Sequence, residues 1–469
     1  MSLASTLEIG KSGLKIYQVA IEVTSENIAN VNTPGYSRQR VILESAPPST
    51  ANGFPLGTGV KISTVERYYD SLLQKQLVNA GTVSGYDTKK SEVLQQIEPI
   101  FNEIAKDGLG AAITDFFNSW QDLSLNPTGN AERQSVLSSA KVMADQFHYI
   151  SSTLNNAAIA GNDAVEPLAD KVNGILSNIA QLNGQIKVTE QISGNANEMR
   201  DQRDYLVRQL AENLSITYTE NSDGTTDVSY TDTTGSYALV TGNNAGALSI
   251  TTSGTLPDGT TPRNIVQITP AGGGAATTVA PTTGKLGAVM VMRDTTIPAY
   301  LTQVDSLASA VVSQVNTLHS SGYTLSTTTP TGVDLFTPAG TTAATIAVAI
   351  TDTNLIAASQ SATSTGDNSN AVALGALSNA KTMSAGTATF SSYYNGLVAQ
   401  VGLDVNAAQT SVSQDEAFMK QLTTLRDSYS GVSLDEELTD LIKYQRSYQA
   451  SAKLITTVDG MLDTLMNMI

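Results

Sequence analysis

The two ends of this chain carry the same spacing of apolar residues. From the N-terminus it runs through Leu3, Leu7, Gly10, Leu14, Tyr17, Ile21, Thr24, Ile28 and Val31, in alternating steps of four and three. At the other end Leu434, Leu438, Leu441, Gln445, Tyr448, Ala452, Ile455, Asp459, Leu462, Met466 and Ile469 repeat it to the last residue. Such a heptad keeps one stripe of an α-helix apolar and demands a second helix to cover it. Without that cover a helix gains too little to offset the entropy of ordering its backbone. Each stripe is a natural cover for the other. This predicts a two-helix coiled coil of the termini, packed further by neighbouring subunits. Spacing alone also admits two core helices of one ordinary globular domain.

The N-terminal stripe stops at Asn32-Thr33-Pro34-Gly35, where proline disfavours helix for the residue before it and glycine permits a turn. A third stripe runs through Val136, Ala140, Met143, Phe147, Ile150 and Leu154, then on from Gly161 through Val172, Ile175, Ile179 and Leu182 to Ile186. Two successive steps of four around Gly161, with Pro167 beyond, predict a kinked rod or two helices meeting near 160–166. Shorter helical patterns lie at 70–105, 109–123, 196–213, 297–319 and 371–427. From Ile216 to Gly284 the chain turns to Thr, Ser and Gly, with turn signals such as Ser222-Asp223-Gly224 and Pro257-Asp258-Gly259 between strand-forming runs. The expected fold is therefore multidomain and mainly α with β inserts. Residues 1–45 and 426–469 form a terminal helical assembly domain. Residues 46–215 and 285–425 form a long helical-bundle middle domain with a β-rich stretch at 321–366, where Ala344–Ile350 is the best strand. Residues 216–284 form a small antiparallel β outer domain.

Several function classes fall away. A net charge of −17 leaves no cluster of Lys and Arg to displace counterions from phosphates, which excludes a nucleic-acid partner. Absent cysteine removes disulfides, thiolate nucleophiles and thiolate metal sites. His148 and His319 are the only histidines and lie in unrelated helical patterns, so no acid–base pair is built from them. Gly57-Thr58-Gly59 lacks a third glycine and is read as a turn. Asp367–Asn370 lacks the remaining ligands of a calcium loop and is read as a helix cap. Asp435-Glu436-Glu437 suits a helix N-terminus. No enzyme, cofactor or metal is expected. No stretch is apolar enough for membrane insertion, and Met1–Ala20 lacks the form of a cleaved signal, so export is expected by another route.

The stretch Asn27-Ile28-Ala29-Asn30-Val31-Asn32-Thr33-Pro34-Gly35-Tyr36-Ser37-Arg38-Gln39 resembles the N-terminal signature of bacterial flagellar axial proteins. Asn30 with Thr33-Pro34-Gly35-Tyr36 is shared by rod, hook and hook-associated proteins, whereas Ser37-Arg38-Gln39 resembles the hook-associated protein 1 family, the first hook-filament junction proteins. Trp120-Gln121-Asp122-Leu123-Ser124, Asp201-Gln202-Arg203-Asp204, Gly284-Lys285-Leu286-Gly287-Ala288 and the tail from Gly431 to Glu437 are similar to the same family. The resemblance implies a structural subunit of the flagellum at the distal end of the hook, secreted by type III export; the chain departs from larger members by its modest length, so a further outer domain found in some of them is expected to be missing. The resemblance also implies self-assembly in a helical ring, with hook protein and the second junction protein as partners and an export chaperone for the C-terminal helix. The implied interface residues are Leu3, Leu7, Leu14, Tyr17, Ile21, Ile28, Val31, Leu434, Leu438, Leu441, Tyr448, Ile455, Leu462, Met466 and Ile469, with Asn30 and Thr33 to Gln39 as the turn that leaves the first helix. A hook or rod subunit, and more remotely a secreted adhesin, are the alternatives.

Overall fold

The computed structural model describes residues 3–51, 54–101, 108–192 and 194–468. Chain order begins with α1 (Leu3–Ala29), a bent β-arm of β1 (Gln39–Ser45), β2 (Ser49–Ala51), β3 (Phe54–Leu56) and β4 (Val60–Arg67), and then α2 (Ser71–Ile97). Four helices follow: α3 (Leu109–Leu125), α4 (Asn130–Asp163), α5 (Val165–Ile192) and α6 (Asn197–Asn213). The break between α4 and α5 falls at Ala164, inside the window set by the stutter and Pro167. The strands β5 (Thr217–Glu220), β6 (Thr226–Asp232), β7 (Gly235–Thr241), β8 (Asn244–Ala245), β9 (Ala247–Thr255), β10 (Pro262–Thr269) and β11 (Thr277–Val279) come next. They make two antiparallel sheets, β5-β6-β7-β8 and β11-β10-β9, joined by turns where the glycine signals stood. The chain closes with α7 (Gly284–Val291), α8 (Ile297–Ser321), α9 (Ser369–Ala376), α10 (Phe390–Ser430) and α11 (Leu434–Met466).

Two large cores organise this order. One gathers α3, α4, α8, α9 and the first half of α10 around Trp120, Phe116, Phe147 and Phe390. The other gathers α5, α6 and α7 with the two sheets, so that Val228, Leu239, Val240, Val266 and Ile268 share a core with Val172, Leu176 and Ile179. The sheets are each open on one side and too thin to bury an apolar face alone, which is why α5 supplies the floor. Residues 216–284 thus do not close a core of their own.

Two expectations differ from the fold. Residues 39–51 and 54–67, assigned to the terminal and helical regions, form the β-arm, with β1 paired antiparallel to β4 from Gln39↔Arg67 to Ser45↔Val60. The alternation Val60, Ile62 and Thr64 in β4 was the available signal. Residues 321–366 hold no strand among the described residues; Ala344–Ile350 contributes one isolated bridge, Phe336↔Val348. Side chains from helices take up backbone groups of this segment. Asn316 brackets Phe336, donating to its carbonyl at 2.7 Å and accepting from its N–H at 2.9 Å. Arg133 donates to the carbonyls of Pro127, Thr353 and Ile356, and burial lowers its pKa to about 10. His319 accepts from Ala357 N–H at 3.0 Å, with its other ring nitrogen 2.6 Å from the Val333 carbonyl oxygen.

Candidate assembly surface and its anchor

α1 and α11 lie antiparallel. A Cβ on Gly10 would meet Ile455, one on Gly13 would meet Ser451, and the Tyr17 ring sits 6.5 Å from that of Tyr444. At the far end Asn27 donates to Glu437 Oε2 at 2.9 Å. The covered edge of α11 is therefore Glu437, Tyr444, Ser451 and Val458, one heptad apart, flanked by the half-buried Leu441 and Ile455.

This edge neighbours the predicted stripe and shares Leu441 and Ile455 with it. Leu434, Leu438, Tyr448, Leu462 and Met466 are exposed, Leu438 by 48% and Met466 by 76%, and Ile442 beside them is exposed as well. Ile469 lies outside the described residues. On α1 the predicted Leu3, Leu7, Leu14, Tyr17, Ile21 and Ile28 are half-buried, as is Val31 just after it, while Gly10, Ile16, Ala20, Thr24 and Asn27 are buried. The β-arm accounts for the difference between the helices: it covers a second side of α1, with Gly59 set close against Ile9 and Ser12. α11 carries apolar residues on two adjacent edges, and α1 covers one.

The turn that follows α1 fixes this pair to the rest of the molecule. Asn30 accepts from the Thr33 hydroxyl at 3.0 Å and donates to the Glu26 carbonyl, closing the helix end. Pro34 is exposed, and Gly35 sits at φ +87°, where a side chain would be strained and its Cβ would lie 3.0 Å from Tyr205. That bend sends Tyr36 inward, where its phenol donates to Asn27 Oδ1 at 2.9 Å; burial and then Glu26 push its pKa up, so the donor proton is kept. Asn27 also accepts from Gln39 N–H and donates to the Gln39 carbonyl, so one buried amide joins α1, the turn and α11.

The remaining motif residues each find a different element. Ser37 gives both its N–H and its hydroxyl to Asp201 on α6 at 2.7 and 2.8 Å. Arg38 pairs with Glu436 and Glu437 at 2.6 Å each, and its N–H donates to the Ser430 carbonyl at the end of α10. Gln39 donates to Glu198 and accepts from Asn197. Arg426 on α10 donates to the Tyr36 carbonyl at 2.8 Å.

Behind the turn, Arg67 bridges Asp201 and Asp204 at 2.7 and 2.8 Å with its side chain only 7% exposed. Burial opposes its charge, yet Asp204 and Asp201 hold it above its ordinary value. Asn27, Arg67, Asp204, Arg426 and Glu437 were not named as site residues. Asp201 and Asp204 stood in a motif, and Glu437 stood in an acidic run at a helix start; no spacing in the sequence tells which basic residue they meet.

A cleft of about 780 Å³ opens beside the turn, between Asn30–Tyr36 and Tyr205, Arg208, Met419 and Arg426. Among the described residues no group of three or more His, Asp or Glu is placed to hold a metal ion, and no helix is long and apolar enough to cross a membrane. His319 is fully buried, with burial lowering its pKa to about 4, and serves packing through its two backbone contacts.

The stitched helix pair is matched by family models of its own. Residues 7–36 match the model for flagella basal body rod proteins and residues 426–468 match that for the C-terminal region of flagellar basal body rod FlgEFG proteins. These segments hold the terminal pair and most of its turn, which sets the class as a structural subunit of the bacterial flagellum. Residues 94–336 match the helical domain of flagellar hook-associated protein FlgK, and the chain belongs to that family, whose members are structural and not enzymatic.

The chain is 28% identical to flagellar hook-associated protein 1 of Bacillus subtilis, with 98% of this chain and 97% of the relative covered. It is 27% identical to that of Escherichia coli, covering 99% and 100%. The solved flagellar hook junction protein FlgK from Burkholderia pseudomallei shares the fold with a TM-score of 0.67 at 17% identity, covering 76% of this chain and 100% of that one.

Proposed function

We propose that this chain builds the junction between hook and filament by packing copies of itself through the uncovered edge of α11. The observation that carries the reading is the pairing of a fixed anchor with an open apolar edge. The turn holds the terminal pair to α6 and α10 through short polar contacts, while Leu434, Leu438 and Ile442 stand exposed along one face. Neighbouring copies related by a rotation that does not close would stack such edges into a helical ring. Hook protein would lie below the layer and the second junction protein above it. The layer would then pass from a bending hook to a stiffer filament.

The test is to replace Leu434, Leu438 and Ile442 together by Ser in the flagellated cell. The chain should still be secreted, while cells show hooks without filaments and flagellin in the medium. Filaments of ordinary length on these cells would end the reading, and loss of the hooks themselves would point to a hook or rod subunit. Before assembly the same edge offers an amphipathic helix to the groove of an export chaperone. Chaperone binding that survives truncation after Gly431 would remove that part.

A further inference from the structure

The second long helix pair in the molecule, α2 against α10, is also antiparallel and heptad-spaced. On α10 the covered residues are Val401, Val405, Ala408, Val412, Asp415, Met419, Leu422 and Arg426, with longer gaps exposed between them. On α2 the matching positions are Leu73, Leu77, Ala80, Ser84, Asp87, Ser91 and Leu94. Leu422 and Met419 share a small cluster with Leu73, Leu77 and Ala80, whereas Val401, Val405 and Ala408 belong with Leu94 to the large helical core. Between Ala408 and Leu422 the seam is less tightly closed: no residue of α10 from Gln409 to Gln421 is buried.

At the centre of that stretch two carboxyl groups meet. Asp415 and Asp87 lie within hydrogen-bonding reach of one another, and Asp415 Oδ2 is shielded from solvent with no N–H or O–H donating to it. No ion pair among the described residues reaches either group. On α2 the nearby ionisable groups are Tyr86, Lys89 and Lys90, and Lys89 is engaged with Glu92 at 2.8 Å. On α10 they are Glu416 and Lys420, which are exposed. From α6, Glu212 packs against Gly81 and Gly85 of α2 and is engaged with Lys285 of α7 at 3.1 Å, and from α8, Tyr300 meets α10 at Asp404, about three turns away.

Two carboxylates in contact with no cation between them cannot both stay ionised cheaply; holding one proton between them converts repulsion into a short O–H···O contact. We propose that Asp87 and Asp415 form a proton-sharing layer that fixes the register of α2 on α10 and makes the middle of that pair the place where it loosens as pH rises. Register follows because a slip of one heptad sets Asp415 against Ala80 or Leu94, leaving a lone carboxylate on an apolar neighbour. The pH direction follows from linkage. Burial and then Asp87 raise the Asp415 pKa above its ordinary 3.8, so the folded Asp415 carboxyl holds a proton more tightly than it does in the unfolded chain. Its stabilising share is present on the acid side and is lost as pH rises through the folded value.

Glu26, raised by burial and then by Glu198, acts in the same direction at the joint of α1 with α6, as do Asp201 and Asp305, both raised by burial, so whole-molecule melting does not separate these sites. Amide hydrogen exchange of the full-length protein does, read as protection factors for 82–92 and 409–421 at pH 4.5 and 7.5. In the native sequence these segments should lose protection between the two pH values, by up to about tenfold for each unit that the shared proton is held above its free value. D415N, and D87N from the other helix should the first variant fold poorly, should keep high protection at both. Equal protection of the native chain at the two pH values overturns the proposal. So does a pH dependence that persists in D415N and D87N, or one that E26Q removes in their place.

Discussion

The stripe in α4 and the stripe in α11 have the same spacing and opposite fates. Val136, Ala140, Met143, Phe147, Ile150 and Leu154 are all at most 1% exposed, closed over by α3, α8 and their neighbours. Leu434 and Leu438 repeat that period and remain about half exposed, because a single helix lies beside α11 and covers the adjacent edge. Periodicity thus reports that a helix has an apolar face. What covers the face depends on how many other elements the fold brings there, and where that number falls short the remainder is left for another chain.

Mutations can break or sharpen this contrast. The largest effect on the single chain is expected from Phe147→Ala, which empties the closed core and should cost about 3–5 kcal/mol in denaturant unfolding. If that cost came out near that of a surface change, the body would be no better packed than the ends. Arg67→Ala should come next, at roughly 3 kcal/mol, since it strands Asp201 and Asp204 beneath the turn. Hydrogen exchange should then show α1 and α11 loosening while α4 stays protected. Gly35→Ala forces a side chain into a left-handed bend against Tyr205 and should cost about 1–2 kcal/mol.

For His319 the folded pKa of about 4 lies below its ordinary 6.5, so stability is complete above the unfolded value and drains away as pH falls from 6.5 toward 4. His319→Gln should flatten that part of the melting-temperature profile. The smallest effect belongs to Leu438→Ala, under about 0.5 kcal/mol for the isolated chain. Its consequence should appear in filament attachment instead. A loss of several kcal/mol there would mean that α11 is covered within one chain after all.

Much of this architecture could be read directly from the residues. The terminal stripes, the break at Ala164 and the glycine turns of the sheets depend on neighbours in sequence, which spacing and turn chemistry describe. The choice of edge on α11 did not, because apolar residues flank Leu441, Tyr448 and Ile455 on both sides. Tyr444 and Val458 fit one seam as well as Leu438 and Leu462 fit the other. The strand expected at 344–350 failed for a different reason: the N–H groups of Thr345 and Ile346 turn back to the Thr342 carbonyl, which leaves Ala347 and Ala349 to make a single bridge with Leu335 and Thr337. The anchor was half legible. Ser37, Arg38 and Gln39 stood out by resemblance, but their partners Asp201, Glu437 and Asn197 are chosen by the fold.

Asn27 and Glu437 stand 410 positions apart along the chain, yet share one hydrogen bond. Synthesis delivers the N-terminal segments first, so both large cores can settle before α11 has been made. The lock between the chain's extremities stays open until the last helix begins. Closure of that bond therefore waits for the first turn of α11, and a copy cut short before Glu437 leaves Asn27 one partner short.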